Sequence, residues 1–328
     1  MNLQQRIGRI WYGGAPVPWW LAALVPLYRL LVAIRWLPYA IGWRRPARIE
    51  VPLVCVGNIV AGGSGKTPLV IALVEALQAR GWRPGVVSRG YGGSAREPRL
   101  LGPDSTADEV GDEPVLIARR AGVPVAVGRN RVEAAKLLVG QGVNCVVADD
   151  GLQNPAFHRD LEICVVDGRR RFGNGRLLPA GPLREPQARW AAYALRVCNG
   201  GDPQGDEVAM QLCGEQALAL HGNEARPLEA FCGTTVHAVA AIGDPQRFFD
   251  ALRARGIEVL AHPFADHHAF VPSDLEFGDA HPVLMTEKDA VKCLRFARAG
   301  LWQVAVTAVL PAGFLDAVDA ALRRATAS

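Results

Sequence analysis

The sequence predicts a doubly wound α/β fold built on a mainly parallel sheet, with a second, smaller α/β domain and an N-terminal membrane-associated helix. Three observations carry this expectation. Short apolar runs alternate with helical patterns from residue 51 to about residue 200, the rhythm of parallel sheets. A similar alternation resumes at VHAVAAIG, after a stretch with no long helical pattern. The first 50 residues differ from both, being apolar, aromatic and basic. The expected division is 1–49 for the N-terminal segment, 50–201 for the first unit, 202–233 for a linker of short strands, and 234–328 for the second unit.

Composition narrows the class. Of 328 residues, 50% are apolar and 21% charged, which suits a globular chain with ample core. The seven cysteines are scattered singly, without a C-x-x-C pair. That excludes a disulfide scaffold or zinc ribbon and points to a reducing compartment. The net charge of +4 is unevenly placed, because residues 1–50 hold seven arginines against Glu50 alone. With no basic, aromatic-interleaved surface elsewhere, nucleic acid is not an expected partner.

Five of the eight tryptophans lie in the first 43 residues, around APVPWWLAALVPLYRLLVAIRWLPYAIGW. A bilayer span takes about 20 apolar residues, and Arg29 would then sit near mid-membrane at a cost of several kcal/mol. Interleaved aromatics and arginines suit the headgroup boundary better. An interfacial helix is therefore expected, with a tilted span and a soluble core helix as alternatives. In either membrane reading Arg44, Arg45 and Arg48 face acidic headgroups on the cytoplasmic side.

After the strand-like VPLVCV comes GNIVAGGSGKTP, and then the helical TPLVIALVEALQAR. Strand, glycine-rich turn and helix make a phosphate-cradling loop. Gly62, Gly63, Ser64 and Gly65 bring backbone N–H groups close to phosphate oxygens. Lys66 is expected to reach the outer phosphates of ATP and the Thr67 hydroxyl to hold Mg²⁺. The general pattern places glycine where this chain has Val60.

RPGVVSRGYGG reads as a short strand ending in a turn with Arg89 and Tyr91, followed by a polar surface loop to Asp108. GDEPVLIARRAG starts a helix with Asp112 and Glu113 in its first turn, where helix capping competes with catalysis as the reason for acidic residues. A strand at 123–127 leads into GRNRVEAAKLLVGQG, entered through Arg129 and Arg131. The apolar VNCVVADD ends in Asp149 and Asp150, as expected of a Mg²⁺-holding carboxylate after a P-loop. The arginines of RRRFGNGRLLPAGPLREP, which runs to Arg184 and Glu185, form a basic cluster suited to a phosphorylated ligand.

Together GNIVAGGSGKTP, SRGYGG, GDEP, GRNRVEAAK, ADDGLQ, VVDGRRRFGNGRLLPAGPLRE, FADHHAF and LMTEKDAVK resemble the tetraacyldisaccharide 4'-kinase family, the lipid A 4'-kinases of Gram-negative bacteria. The segments cover residues 50 to 295 in the family's order, and Val60 is ordinary there. The resemblance implies transfer of the γ-phosphoryl group of ATP to the 4'-hydroxyl of an acylated glucosamine disaccharide 1-phosphate. That gives lipid IVA at the cytoplasmic face of the bacterial inner membrane. It implies that Asp112 accepts the hydroxyl proton with His267 as its partner, and that Lys66, Thr67, Asp149 and Asp150 hold phosphate and Mg²⁺. Arg131, Gln153, Arg184 and Glu185 match other active-site positions. A monomer is expected. The rival is a P-loop switch or metallochaperone-type NTPase at the membrane. Its guanine-specific form finds only Thr286-Glu287-Lys288-Asp289, with Glu where Lys belongs.

Overall fold

The computed structural model describes residues 3–327. Helices α1 (Leu3–Trp11) and α2 (Trp19–Ala40) come first. Then follow β1 (Leu53–Gly57), α3 (Lys66–Ala79), β2 (Pro84–Ser88), β3 (Arg99–Leu100), α4 (Ala107–Val110), α5 (Asp112–Ala121), β4 (Val125–Val127), α6 (Arg131–Val139), β5 (Cys145–Asp149), β6 (Leu161–Asp167), β7 (Leu195–Asn199) and β8 (Val208–Cys213). These eight strands and the late β15 (Thr307–Val309) make a nine-stranded sheet in the order β15-β8-β7-β6-β1-β5-β2-β4-β3. Strand β1 runs parallel to both its neighbours, β5 and β6. Only the two edges are antiparallel, β3 on β4 and β15 on β8.

The second sheet is formed by β9 (Gln216–Ala219), β10 (Ala225–Pro227), β11 (Thr235–Ala240), β12 (Glu258–Pro263), β13 (Val283–Thr286) and β14 (Leu301–Val304). Helix α7 (Pro245–Arg253) links β11 to β12, and α8 (Glu287–Cys293) follows β13 directly. The chain ends in β15 (Thr307–Val309) and α9 (Ala312–Ala327).

Burial explains why the central strands are unbroken apolar runs. In β1, Val54 and Val56 join the core on one face of the sheet while Leu53 and Cys55 join the core on the other. A strand covered on both faces has no solvent side to mark with polar residues. Helix α9 presents Phe314, Val318 and Leu322, four residues apart, to the same core as α3. Trp82 Nε1 donates to Asp319 at 2.7 Å, and Arg80 pairs with Asp316 at 2.7 Å, which ties α9 beside α3.

The sheets divide the chain differently from the linear boundaries expected at 202, 234 and 328. Strand β8 of the expected linker joins the first sheet, whereas β9 and β10 join the second. The C-terminal β15 and α9 return to the first sheet. We therefore propose a first unit closed by its own C-terminal segment, with the second unit inserted between β8 and β15. The polar stretch before Asp108 also contains the edge strand β3 and the short α4, where a surface loop was expected.

The seven cysteines are free, and five of them are buried, Cys55, Cys145, Cys164, Cys198 and Cys293. Gly168, just past β6, lies where a Cβ would overlap the Gly200 carbonyl oxygen past β7. Its N–H donates to Asn199 O at 3.0 Å. A Gly168→Ala change is expected to destabilise the chain by about 2 kcal/mol or more, seen as a lower urea midpoint.

Candidate active site

The loop after β1 wraps a phosphate-sized hollow. Gly62 and Gly65 adopt φ of +104° and +88°, conformations that favour glycine. A Cβ on Gly65 would also strike the Asn199 amide. Asn58 Nδ2 donates to Ser64 Oγ at 3.0 Å, and Asn199 Nδ2 donates to the Ser64 carbonyl at 3.0 Å. These bonds hold the Ser64 side chain and carbonyl from two sides. Lys66 and Thr67 open α3 and line a cleft of about 830 Å³ between the two sheets.

Asp149 and Asp150 close β5, but the backbone separates their roles. Asp149 remains in the strand, fully buried, with Oδ2 accepting from Ser88 Oγ at 3.3 Å and Oδ1 lacking any hydrogen-bond partner among the described residues. Burial, then Glu113 and Asp150 nearby, push its carboxyl well above the usual carboxylate range. Asp150 takes a left-handed φ of 50° that turns its carboxylate away. Arg184 NH1 reaches it at 2.9 and 3.0 Å, and Lys66 Nζ lies 3.6 Å from it. Burial pushes Asp150 up, but Lys66 and Arg184 outweigh it and hold the carboxyl far below its ordinary value.

The remaining expected residues are braced around this pair. Arg131, buried at the start of α6, donates to the Asp150 carbonyl at 2.8 Å. Gln153 Nε2 donates to Asn58 O at 3.0 Å and to Glu185 at 2.7 Å, and Gln153 Oε1 accepts from Arg184 at 3.3 Å. Glu185 accepts further from the Tyr193 hydroxyl at 3.1 Å. Of the expected basic cluster, Arg171 is held away by Glu207 in two 2.7 Å bonds. Arg170 and Arg184 do line the cleft, with Arg170 donating to the Gly63 carbonyl.

Asp112 begins α5 from one side of the cleft and His267 follows β12 on the other. His267 Nδ1 lies 3.0 Å from Asp112 Oδ2, although 155 positions separate them. Asp112 is buried, and its Oδ1 accepts the Glu113 N–H at 2.9 Å, a helix-start bond that favours the charged form. Burial pushes its carboxyl up, but the His267 hydrogen bond, Lys288, the His267 charge and Lys292 together hold it below the ordinary value. The Asp112 hydrogen bond raises His267 against the opposing effect of burial. His267 itself sits at φ 60°, off the relaxed backbone regions. Gly111 allows this packing, since a Cβ there would press on the Tyr91 carbonyl oxygen at 2.5 Å. The Tyr91 ring in turn stands 5.1 Å from the His267 ring.

Several cleft residues carry no individual signal in the sequence. Asn58 and Asn199 shape the P-loop, and Arg247 bridges to Asp167 at 3.4 Å and to Asn199 at 3.4 Å from the second unit. Lys288 pairs with Glu113 at 3.0 Å. Polar partners separated by 48 to 175 positions leave no periodic trace.

A nucleotide loop alone would serve a switch as well as a kinase. His267 lines the same cleft and is hydrogen-bonded to the buried Asp112 carboxylate, a pairing suited to an acceptor that must lose a proton, so fold and site together define a P-loop phosphotransferase. The family model for tetraacyldisaccharide-1-P 4'-kinase, LpxK, matches residues 17–323, and the chain belongs to that family. It is 53% identical over 315 residues to the tetraacyldisaccharide 4'-kinase of Stenotrophomonas maltophilia, covering 93% of each chain. It is 48% identical to that of Nitrosococcus oceani, covering 97% of this chain and 94% of the relative. A crystal structure of LpxK from Aquifex aeolicus in complex with ATP superposes with a TM-score of 0.75 at 26% identity, over 92% of this chain and 99% of that one.

The Asp112–His267 pair ties stability to pH. Because His267 is raised, its share is fully present below its unfolded value of about 6.5 and is lost as pH rises through the folded value. Because Asp112 is lowered, its share is present above about 3.9 and is lost as pH falls through the folded value. The difference in unfolding free energy between the parent and His267→Ala is therefore expected to be largest between about pH 4 and 6.5. Urea titrations across pH 3–9 would show it as a plateau that falls away on both sides.

Proposed function

We propose that the chain transfers the γ-phosphoryl group of ATP to the 4'-hydroxyl of tetraacyldisaccharide 1-phosphate, giving lipid IVA. The observation that carries this reading is the 3.0 Å hydrogen bond between buried Asp112 and His267, which lines the cleft that the P-loop opens into. The loop amides and Lys66 hold the β- and γ-phosphates and take up charge on the transferring group. Asp112 accepts a hydrogen bond from the 4'-hydroxyl and takes its proton as the new O–P bond forms and ADP leaves. His267 orients Asp112 and balances its charge. Arg184 stays on Asp150, and Glu185 fixes Gln153 beside it.

The residues also fit a Mg²⁺ ion. Asp149 Oδ1 is buried without a partner, and Asp150 and the Thr67 hydroxyl supply further hard oxygen donors at the same cleft. Among the described residues no group of three or more His, Cys, Asp or Glu side chains forms a metal cage. Phosphate oxygens and water would complete the coordination of such an ion. When bound, such an ion neutralises charge on the β- and γ-phosphate oxygens.

The N-terminal segment supports a membrane-surface location, which we place at the cytoplasmic face of the inner membrane. Helix α2 has 22 residues, with only Leu21 of them buried. Trp19, Leu27, Leu30, Leu31, Ile34 and Leu37 are more than half exposed, which excludes burial in this chain's own core. Arg29 and Arg35 within the helix favour an interfacial position over a full span. The Tyr28 hydroxyl donates to the Arg184 carbonyl at 2.8 Å, which joins this helix to the active-site loop.

With labelled ATP and detergent-solubilised disaccharide 1-phosphate, folded Lys66→Ala and Asp112→Ala variants are expected to lose on the order of a hundredfold or more in kcat. ATP hydrolysis without transfer by the parent chain would instead establish the switch-type NTPase. A Trp19→Ser, Trp20→Ser, Trp43→Ser variant is expected to float poorly with anionic vesicles while keeping activity on soluble acceptor analogues. Undiminished flotation would remove the interfacial assignment.

A further inference from the structure

The TEKDAVK stretch is not accounted for by nucleotide or acceptor binding, yet its charges point across the cleft. On α8, Glu287 pairs with Arg120 of α5 at 2.6 Å, and Lys288 pairs with Glu113 at 3.0 Å. Asp289 is fully buried, its Oδ2 accepting from the Ala241 N–H at 2.9 Å and the Thr286 hydroxyl at 2.6 Å. One turn further on, Lys292 is buried as well, with its side chain 8% exposed. Its ammonium lies 2.7 Å from Asp289 Oδ1 and 4.0 Å from Asp112 Oδ2, over the Phe270 ring at 5.0 Å. Among the described residues neither that ammonium nor Asp289 Oδ1 makes a well-formed hydrogen bond. A core needing only volume here would hold an apolar side chain, because a buried ammonium is costly to desolvate.

We propose that Lys292 is a positioning residue for phosphoryl transfer, its buried ammonium fixing the Asp112 carboxylate against His267. Asp289 anchors the lysine through a carboxylate that the β11 and β13 strand ends already hold in place. Lys292 and His267 both approach Asp112 Oδ2, at 4.0 and 3.0 Å, so that oxygen is faced by basic groups from two elements of the second unit. The charged groups facing Asp112 are His267 and Asp266 from the loop after β12, Lys288 and Lys292 from α8, and Glu113 from its own helix. Removing Lys292 leaves Asp112 with fewer cations, so protonation of the carboxylate becomes easier and the histidinium is less repelled. This inference rests on the proposed role of Asp112 as proton acceptor.

The test compares the parent, Lys292→Arg, and a Lys292→Met, Asp289→Asn double variant, which removes the buried pair together so that no lone charge threatens folding. The folded double variant is expected to lose about tenfold or more in kcat, with the KM for ATP unchanged and the acid limb of kcat/KM moved to higher pH. Lys292→Arg is expected to keep most of the rate. The His267 ring titration, followed by NMR without acceptor or nucleotide, is expected to move up in the double variant. A double variant with the parent's rate and pH profile, or a reduced rate with an unmoved acid limb, overturns the proposal, as does an unmoved His267 titration. The titration is read whether or not the acceptor is a lipid disaccharide, so failure of the inference is distinguishable from failure of the function, which shows as absent transfer by the parent.

Discussion

One hydrogen bond, from the histidine after β12 to the carboxylate that opens α5, ties elements of the two sheets together at the cleft. The P-loop belongs wholly to the first sheet and cannot by itself deprotonate an acceptor. The second sheet contributes no phosphate-binding loop, yet it supplies the imidazole and the two lysines of α8 that confront Asp112 and Glu113. Arg120–Glu287, Arg247–Asp167 and the close approach of Gly243 to Gly63, where a Cβ would sit 3.0 Å from the Gly63 nitrogen, hold the same closed arrangement. Asp112, the P-loop and the Asp149-Asp150 pair all belong to the first unit, and His267 and the lysines of α8 reach them from the second.

The charges in the cleft are arranged in opposition, so that neighbours differ in state. Asp150 lies between Lys66 and Arg184 and stays ionised, while Asp149, one residue away, is buried beside other carboxylates and is held toward the neutral form. Two adjacent acids with opposite tendencies separate structural pairing from a free oxygen waiting for a ligand. The backbone creates that difference, because the left-handed turn at Asp150 swings one carboxylate toward the basic residues and leaves the other in the strand.

Much of this was legible in the sequence wherever chemistry and local geometry coincide. The glycines around Lys66 must sit between a strand and a helix to work, so strand, loop and helix could be read together. Asp112 and the Asp149-Asp150 pair were visible as acids at element ends, and the family resemblance supplied His267. The sequence did not show which aspartate is paired and which is free, because both occupy the same strand end and only the backbone angle separates them. The return of β15 and α9 to the first sheet was also hidden. Strand pairing across about a hundred positions depends on which apolar faces remain uncovered, and nothing local to β8 or β15 records it. The α5 partners of the α8 lysines lie about 175 positions away, where no local pattern records the pairing.

The Tyr28 bond to the Arg184 carbonyl gives the apolar helix a geometric part in catalysis beyond attachment. Arg184 grips Asp150 beside the P-loop, so in the proposed interfacial position this helix would fix the tilt of the cleft relative to the lipid plane. An acceptor held in that layer by its acyl chains then arrives with its depth and sugar orientation already restricted. Its search for the γ-phosphate becomes a lateral one, and part of the orientational entropy of the encounter is lost to the bilayer before the enzyme is met.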